Sequence, residues 1–154
     1  MKAVFVESYN GYMAKSDTDD MRWTPVHDKK LFKLLSYAYG GVCICSAKTY
    51  ALLPENMKKD VNRRFIVAEK EGKYSLPSLN KTFPSGVLIG GKTFLTAAYN
   101  LGVIDTFVVT TLNDSIVGAK EHKNPFREIL TTPACEVMFP EMVVRVYYNK
   151  GVLK

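Results

Sequence analysis

Gly86-Val87-Leu88-Ile89-Gly90-Gly91-Lys92-Thr93-Phe94-Leu95-Thr96-Ala97-Ala98-Tyr99-Asn100-Leu101-Gly102 decides the fold. A short apolar run over residues 86–89 reads as a strand and stops at paired glycines. Helix-forming residues then run from 92 to 101, and Gly102 ends them. The next apolar stretch, residues 106–112, is rich in Thr and Val and reads as another strand. A strand, a helix and a second strand in that order are the unit that makes neighbouring strands parallel. Gly90-Gly91 also carries chemistry. Backbone without Cβ atoms can approach a ligand closely, and the N–H groups of Lys92 and Thr93 at the helix start can face a phosphate. In most sequences such a pair is only a turn, so both readings stand.

The same pattern extends outward. Residues 3–7 form an apolar strand-like run, Asn10-Gly11 is a turn signal, and residues 15–20 are a polar loop. Residues 28–38 carry Leu31, Phe32, Leu34, Leu35 and Ala38 at helical spacing, closed by Gly40-Gly41. A strand over 42–45, a short helix over 47–53 stopped by Pro54, and a strand over 64–68 follow. Residues 70–84 are mixed and polar, with no regular element expected. Asn124-Pro125 opens a helical turn, Asn as cap and Pro at the first position. Residues 136–139 and 143–148 alternate around Pro140-Glu141 and read as an antiparallel hairpin. The order predicts one α/β domain over residues 1–154: a mostly parallel central sheet, an antiparallel C-terminal hairpin, and helices on both faces. In such sheets ligands sit beyond the carboxyl ends of the strands, here after Glu7, Cys45, Ala68 and Ile89.

The chain has 154 residues, 47% hydrophobic and 23% charged, enough for one core and inconsistent with disorder. No apolar run approaches the roughly 18 residues of a membrane span. The first residues lack the apolar core of a signal peptide, so a cytoplasmic protein is expected. Three cysteines, Cys43, Cys45 and Cys135, suit reduced thiols better than disulfides. Cys43-x-Cys45 has no further ligands at metal spacing, and His27 and His122 are far apart, so no metal is predicted. The net charge of +6 is scattered, with only doublets such as Arg63-Arg64, which argues against nucleic acid. It is compatible with a small polyanionic ligand. The oligomeric state stays open between monomer and homodimer.

Met21-Arg22-Trp23-Thr24-Pro25-Val26-His27-Asp28-Lys29-Lys30-Leu31-Phe32 resembles the first-helix signature of dihydrofolate reductases: a Trp, an acid five residues on, and a Phe four beyond it. Further fragments follow in family order: Ile44 to Pro54 around Thr49, Arg63-Arg64-Phe65-Ile66-Val67, Val87-Leu88-Ile89-Gly90-Gly91, and the strand from Asp105 to Thr110. Together they cover residues 3–112. Asn10-Gly11-Tyr12-Met13-Ala14 is also similar to a turn of the sister RibD-type pyrimidine reductases. Compact, divergent reductases of the first family occur in bacteriophages, and this chain resembles them.

The resemblance implies NADPH-dependent reduction of 7,8-dihydrofolate to tetrahydrofolate, a hydride to one pterin carbon and a proton to the adjacent nitrogen. Asp28 would accept two hydrogen bonds from the pterin edge, with Thr110 bridging carboxylate and substrate. Asp28 also reads as a plain first-turn acid, and Thr110 as a plain strand residue. Val4, Val6, Phe32, Leu53 and Ile89 would line the substrate, and Arg63 would clamp its glutamate α-carboxylate. Phe32 reads equally well as core. Trp23, counted with Asp28 and Thr110 as catalytic, would belong with Met21 to a loop over the nicotinamide. The cofactor would touch Val6, Met13, Met21, Ser46, Ala47, Lys48, Thr49, Lys70, Gly90, Gly91, Lys92, Thr93 and Leu95.

Several positions depart from the family pattern. Ser46 replaces a glycine, and Ala47 replaces the arginine that grips the 2′-phosphate. Lys48 or Lys70 can substitute as point charges, whereas Glu69 repels a phosphate. Lys29 stands where an apolar or acidic residue is usual, and Leu95 stands for a tyrosine. Residues 118–130 match the family's acidic loop only loosely, through Glu121 and Pro125. Two other functions compete: a RibD-type reductase of a ribosylamino-pyrimidine phosphate, and a non-catalytic ligand- or protein-binding member of the fold.

Overall fold

Period-two alternation in the first strand sorts its side chains onto two faces, and the rest of the molecule follows that division. The computed structural model describes residues 1–19, 21–118 and 120–152. In chain order the strands are β1 (Lys2–Glu7), β2 (Val42–Cys45), β3 (Arg64–Val67), β4 (Val87–Ile89), β5 (Thr106–Leu112), β6 (Cys135–Met138) and β7 (Met142–Tyr148). The helices are α1 (Val26–Ala38), α2 (Ala47–Leu52), α3 (Glu55–Lys58), α4 (Leu76–Thr82) and α5 (Lys92–Asn100).

The strands form one sheet in the order β3-β2-β4-β1-β5-β7-β6. β1 to β5 pair in parallel, and β7 joins β5 antiparallel with β6 on its outer side. On one face Ala3, Phe5, Ile44, Leu88, Phe107 and Val109 meet Leu76 and Leu79 of α4 and Leu95 and Ala98 of α5. On the other face Val4, Val6, Cys43, Val87, Val108, Leu112 and Val144 meet Leu31, Phe32 and Leu35 of α1. Helices therefore cover both faces, and a mostly parallel sheet ends in an antiparallel hairpin.

Two helices lie where none was expected. α3 is a single turn after Pro54. α4 occupies part of the stretch read as polar. The Ser75 hydroxyl caps it by accepting the Ser78 N–H at 3.4 Å, proline stands in its first turn, and Leu76 and Leu79 are buried. The turn expected after Asn124 forms as hydrogen-bonded turns over residues 125–129 rather than a helix, with Asn124 Oδ1 accepting the Phe126 N–H at 2.9 Å. Among the described residues no helix is long and apolar enough to cross a membrane.

Parallel register aligns the carboxyl ends of the strands. Val6 is level with Thr110, and Cys45 with both Val67 and Ile89. α1 begins near that edge, because the chain leaves β1 there and the helix runs back to the start of β2. Glu7, at the end of β1, is buried and satisfied by the Thr111 hydroxyl at 3.0 Å, Asn124 Nδ2 at 2.9 Å and Arg127 Nε at 3.2 Å. This polar knot ties the residue 120–130 segment to the sheet.

Candidate active site

Asp28 sits in the first turn of α1, and Leu31, Phe32 and Leu35, three, four and seven residues on, pack against the sheet. That spacing turns the carboxyl toward the same face. Thr110 lies on β5 between Val108 and Leu112, which belong to the cluster under α1. The two meet. Burial pushes the Asp28 carboxyl up to about 6, against the opposing hydrogen bond of the Thr110 side chain and the positive charge of Lys29. A carboxyl that can hold or release a proton near neutrality therefore faces a mostly apolar wall. Lys29 Nζ donates to the Thr24 carbonyl at 3.2 Å, so this departure from the family pattern is tied down beside the acid.

Val4, Val6, Phe32, Ile89, Met21 and Trp23 all belong to the cluster on this face. The approach from β1 to α1 is folded around Asp19, which sequence reading did not single out. Its carboxylate accepts the Lys15 N–H at 2.6 Å, the Met21 N–H at 2.7 Å and Trp23 Nε1–H at 2.7 Å. Burial opposes ionisation of Asp19, but these donors outweigh it and hold the pKa below its ordinary value. Met21 adopts a left-handed φ of 63°, and its carbonyl accepts both the Thr24 N–H and hydroxyl. Met21 and Trp23 thus pack over the face that carries Asp28. Two surface depressions, about 330 and 290 Å³, open elsewhere, against Arg127 and Arg145 and along β3.

The expected cofactor residues divide. Gly91 caps α5 with no side-chain hydrogen bond, and a Cβ there would meet nothing within 4 Å. Gly90 has φ 157°, and a Cβ on it would stand 3.0 Å from Phe94 Cδ1. The helix start at Lys92 and Thr93 is thus open to an anionic group. At α2 the Ser46 hydroxyl caps the helix by accepting the Thr49 N–H at 3.2 Å and lies 3.2 Å from the Thr49 hydroxyl. Ala47 and Lys48 are exposed, and Lys48 Nζ pairs with Asp17 at 3.2 Å. Lys70 is exposed beyond β3 beside Glu69, and Leu53 is half-buried at the end of α2. These groups fit a phosphate-bearing dinucleotide at two helix starts, and α2 offers no guanidinium for a 2′-phosphate.

Three expected contact residues, Leu95, Met13 and Arg63, need correction. Leu95 is fully buried and Met13 nearly so, both in the cluster on the α4 and α5 face, so they serve packing and present no surface to a cofactor. Arg63 does not present an open fork. Its side chain is 5% exposed, with Nε bonded to Asp60 at 2.8 Å and Nη1 to the Ser36 hydroxyl at 3.3 Å. Cys43 and Cys45 are buried, their thiols pushed by burial up to about 12 and about 11. They are core residues.

No family model matches the sequence, and no curated protein matches it. Among solved structures the chain is similar to dihydrofolate reductase from Enterococcus faecalis complexed with NADP(H) and RAB-propyl. The likeness has a TM-score of 0.68 at 14% identity and covers 96% of this chain and 94% of that one. At that identity the likeness speaks to architecture. The chain has a dihydrofolate-reductase-like fold.

Proposed function

We propose that this protein is an oxidoreductase that reduces a dihydropterin, 7,8-dihydrofolate to tetrahydrofolate, with NADPH as the hydride source. The observation that carries this reading is Asp28: a carboxyl held near pH 6 by burial, on an apolar wall, beside Thr110. An amidine-like ring edge presents two N–H donors at the spacing of carboxylate oxygens, so one carboxylate fixes both position and tilt of a flat heterocycle. Thr110, which hydrogen-bonds to the Asp28 carboxyl, would bond to the ring as well. Val4, Val6, Phe32 and Ile89 supply apolar surface for the ring, with Leu53 farther along the same edge. Met21 and Trp23, packed over the same face, exclude water from it.

NADPH, when bound, supplies the hydride. Gly90, Gly91, Lys92 and Thr93 would receive one part of its pyrophosphate through backbone N–H groups, and Ser46, Ala47 and Lys48 the other, with the Lys48 and Thr49 side chains assisting. Lys48 and Lys70, both exposed, would be the cations for a 2′-phosphate, so the preference for NADPH over NADH is modest. The reaction takes up a proton with the hydride, and Asp28, raised to about 6, can hold one as pH falls to that value and below.

Purified protein mixed with NADPH and 7,8-dihydrofolate should consume both, and Asp28→Asn should lose at least about a hundredfold in turnover. A fused-ring antifolate should quench Trp23 fluorescence saturably. Quenching without turnover would favour the second reading, a ligand-binding member of the fold. The pairing of Ser46 with Thr49 and of Lys48 with Asp17 supports that alternative. Neither quenching nor turnover would remove both.

A further inference from the structure

The depression of about 330 Å³ opens where β5 ends and β7 begins, lined by Tyr9, Thr111, Asn113, Arg127, Val143 and Arg145. Thr111 is level with Val143, and Val109 with Arg145. Val109 belongs to the cluster under α4 and α5, so alternation puts Thr111 and Arg145 on that face, away from Asp28. No residue of α4 or α5 reaches the depression. Its lining holds two cations and, among the described residues, no carboxylate. Arg127 is fixed from three sides. Its Nε donates to Glu7 at 3.2 Å and its Nη2 to the Tyr9 carbonyl at 2.7 Å. It also lies against Gly11, where φ is 88° and a Cβ would stand 3.2 Å from Arg127 Cδ, Nε and Cζ. Arg145 Nε donates to Glu136 at 2.8 Å across the hairpin. Among the described residues, Arg127 Nη1 and both terminal nitrogens of Arg145 have no hydrogen-bond partner. Glu7 does not compete for them, because Thr111, Asn124 and Arg127 already satisfy both its oxygens. Tyr9 stands beside them, 65% exposed.

We propose that this depression is a second binding site, for a small oxyanion carried on a planar ring. The terminal nitrogens of Arg127 and Arg145 receive the carboxylate or phosphate, and the Tyr9 ring receives the flat group. Holding each guanidinium by its Nε leaves the outer nitrogens as donors and spares the ordering cost that a loose arginine would add to binding. A volume near the lower end for small-molecule sites suits one ring with one anionic group and leaves no room for a dinucleotide. The site is therefore separate from the cofactor and substrate positions on the Asp28 side.

The test is a titration of isotope-labelled protein, followed by amide NMR, with benzoate, phenyl phosphate and, as the uncharged control, phenol. One or both anions should shift the signals of Tyr9, Thr111 and Asn113 with a Kd of about 1 mM or tighter. The tighter of the two tells whether carboxylate or phosphate is the preferred group, and phenol should leave the signals in place. Arg145→Gln removes a guanidinium without touching the Glu7 contacts, and should weaken the anions about tenfold or more. Tyr9→Ala should weaken phenyl phosphate while inorganic phosphate, which has no ring, stays within about twofold of its wild-type affinity. The proposal is overturned if neither anion moves these signals at about 10 mM, if phenol moves them equally, or if Arg145→Gln binds as wild type does. The comparison with phenol decides the matter on wild-type protein even where a variant fails to fold. Dihydrofolate turnover enters none of these readings, so the function proposed above stands or falls separately.

Discussion

Asp28 couples stability to function through its proton. In the unfolded chain its carboxyl returns to the ordinary carboxylate range, whereas burial holds it at about 6 in the native protein. Between those values the folded state binds the extra proton, so stability falls as pH rises through that window, by at most about 3 kcal/mol. Asp28→Asn removes a buried charge and should raise the thermal midpoint at pH 8 with little change at pH 4. Thermal unfolding of both proteins at the two pH values checks this, and equal shifts at both would place the carboxyl in water. In turnover, a proton held on Asp28 predicts activity that declines as pH rises past about 6. Asp28 and Thr110 were marked in the sequence by the resemblance, and helical spacing and strand alternation bring their side chains to one face of the sheet. Asp19 and Asp60 were not, because their partners are set by irregular backbone, and no period marks a loop carboxylate that gathers N–H groups. Asp19→Ala should release Trp23 Nε1 and two backbone N–H groups together. The expected result is faster proteolysis within residues 15–24 and a red-shifted Trp23 emission, with the unfolding midpoint nearly unchanged.

Elements were legible where apolar periodicity ran long enough to be counted. β1, β2, β5, α1 and α5 lie within a residue or two of their expected ends. α4 escaped notice because it buries only Leu76 and Leu79 and carries proline in its first turn, a pattern shared with many loops. The strand-to-helix corner after β4 carries the sharpest prediction at this scale. Gly90 holds a backbone conformation that side chains rarely adopt, and a Cβ there would press on Phe94. Gly90→Ala should cost about 1–3 kcal/mol in urea unfolding and weaken cofactor binding. Gly91→Ala, with open space at the Cβ position, should cost far less stability. The contrast separates strain at the corner from loss of the phosphate approach, because Gly91→Ala tests the second with little of the first.

Across the whole molecule the sheet divides labour between its faces. The α1 face carries Asp28, Thr110, Met21 and Trp23, while the α4 and α5 face is occupied by packing and holds Leu95 and Met13. Sequence pattern did not show how the second face would be filled, since that depends on how the residue 120–130 segment lies. Phe126 decides it. Its ring packs at centroid distances of 5.0 Å on Phe107, 5.6 Å on Tyr99 and 6.1 Å on Phe5, filling the second face beside the Glu7–Arg127 knot. Phe126→Ala should therefore cost about 3–5 kcal/mol by urea denaturation, as expected for an aromatic ring lost from a close-packed core. Because the cavity would open on the far side of the sheet from Asp28, turnover per folded molecule should stay within about twofold of wild type well below the unfolding midpoint. A large drop in turnover under those conditions would mean that the two faces are mechanically coupled through β1 and β5, and that the division of labour fails.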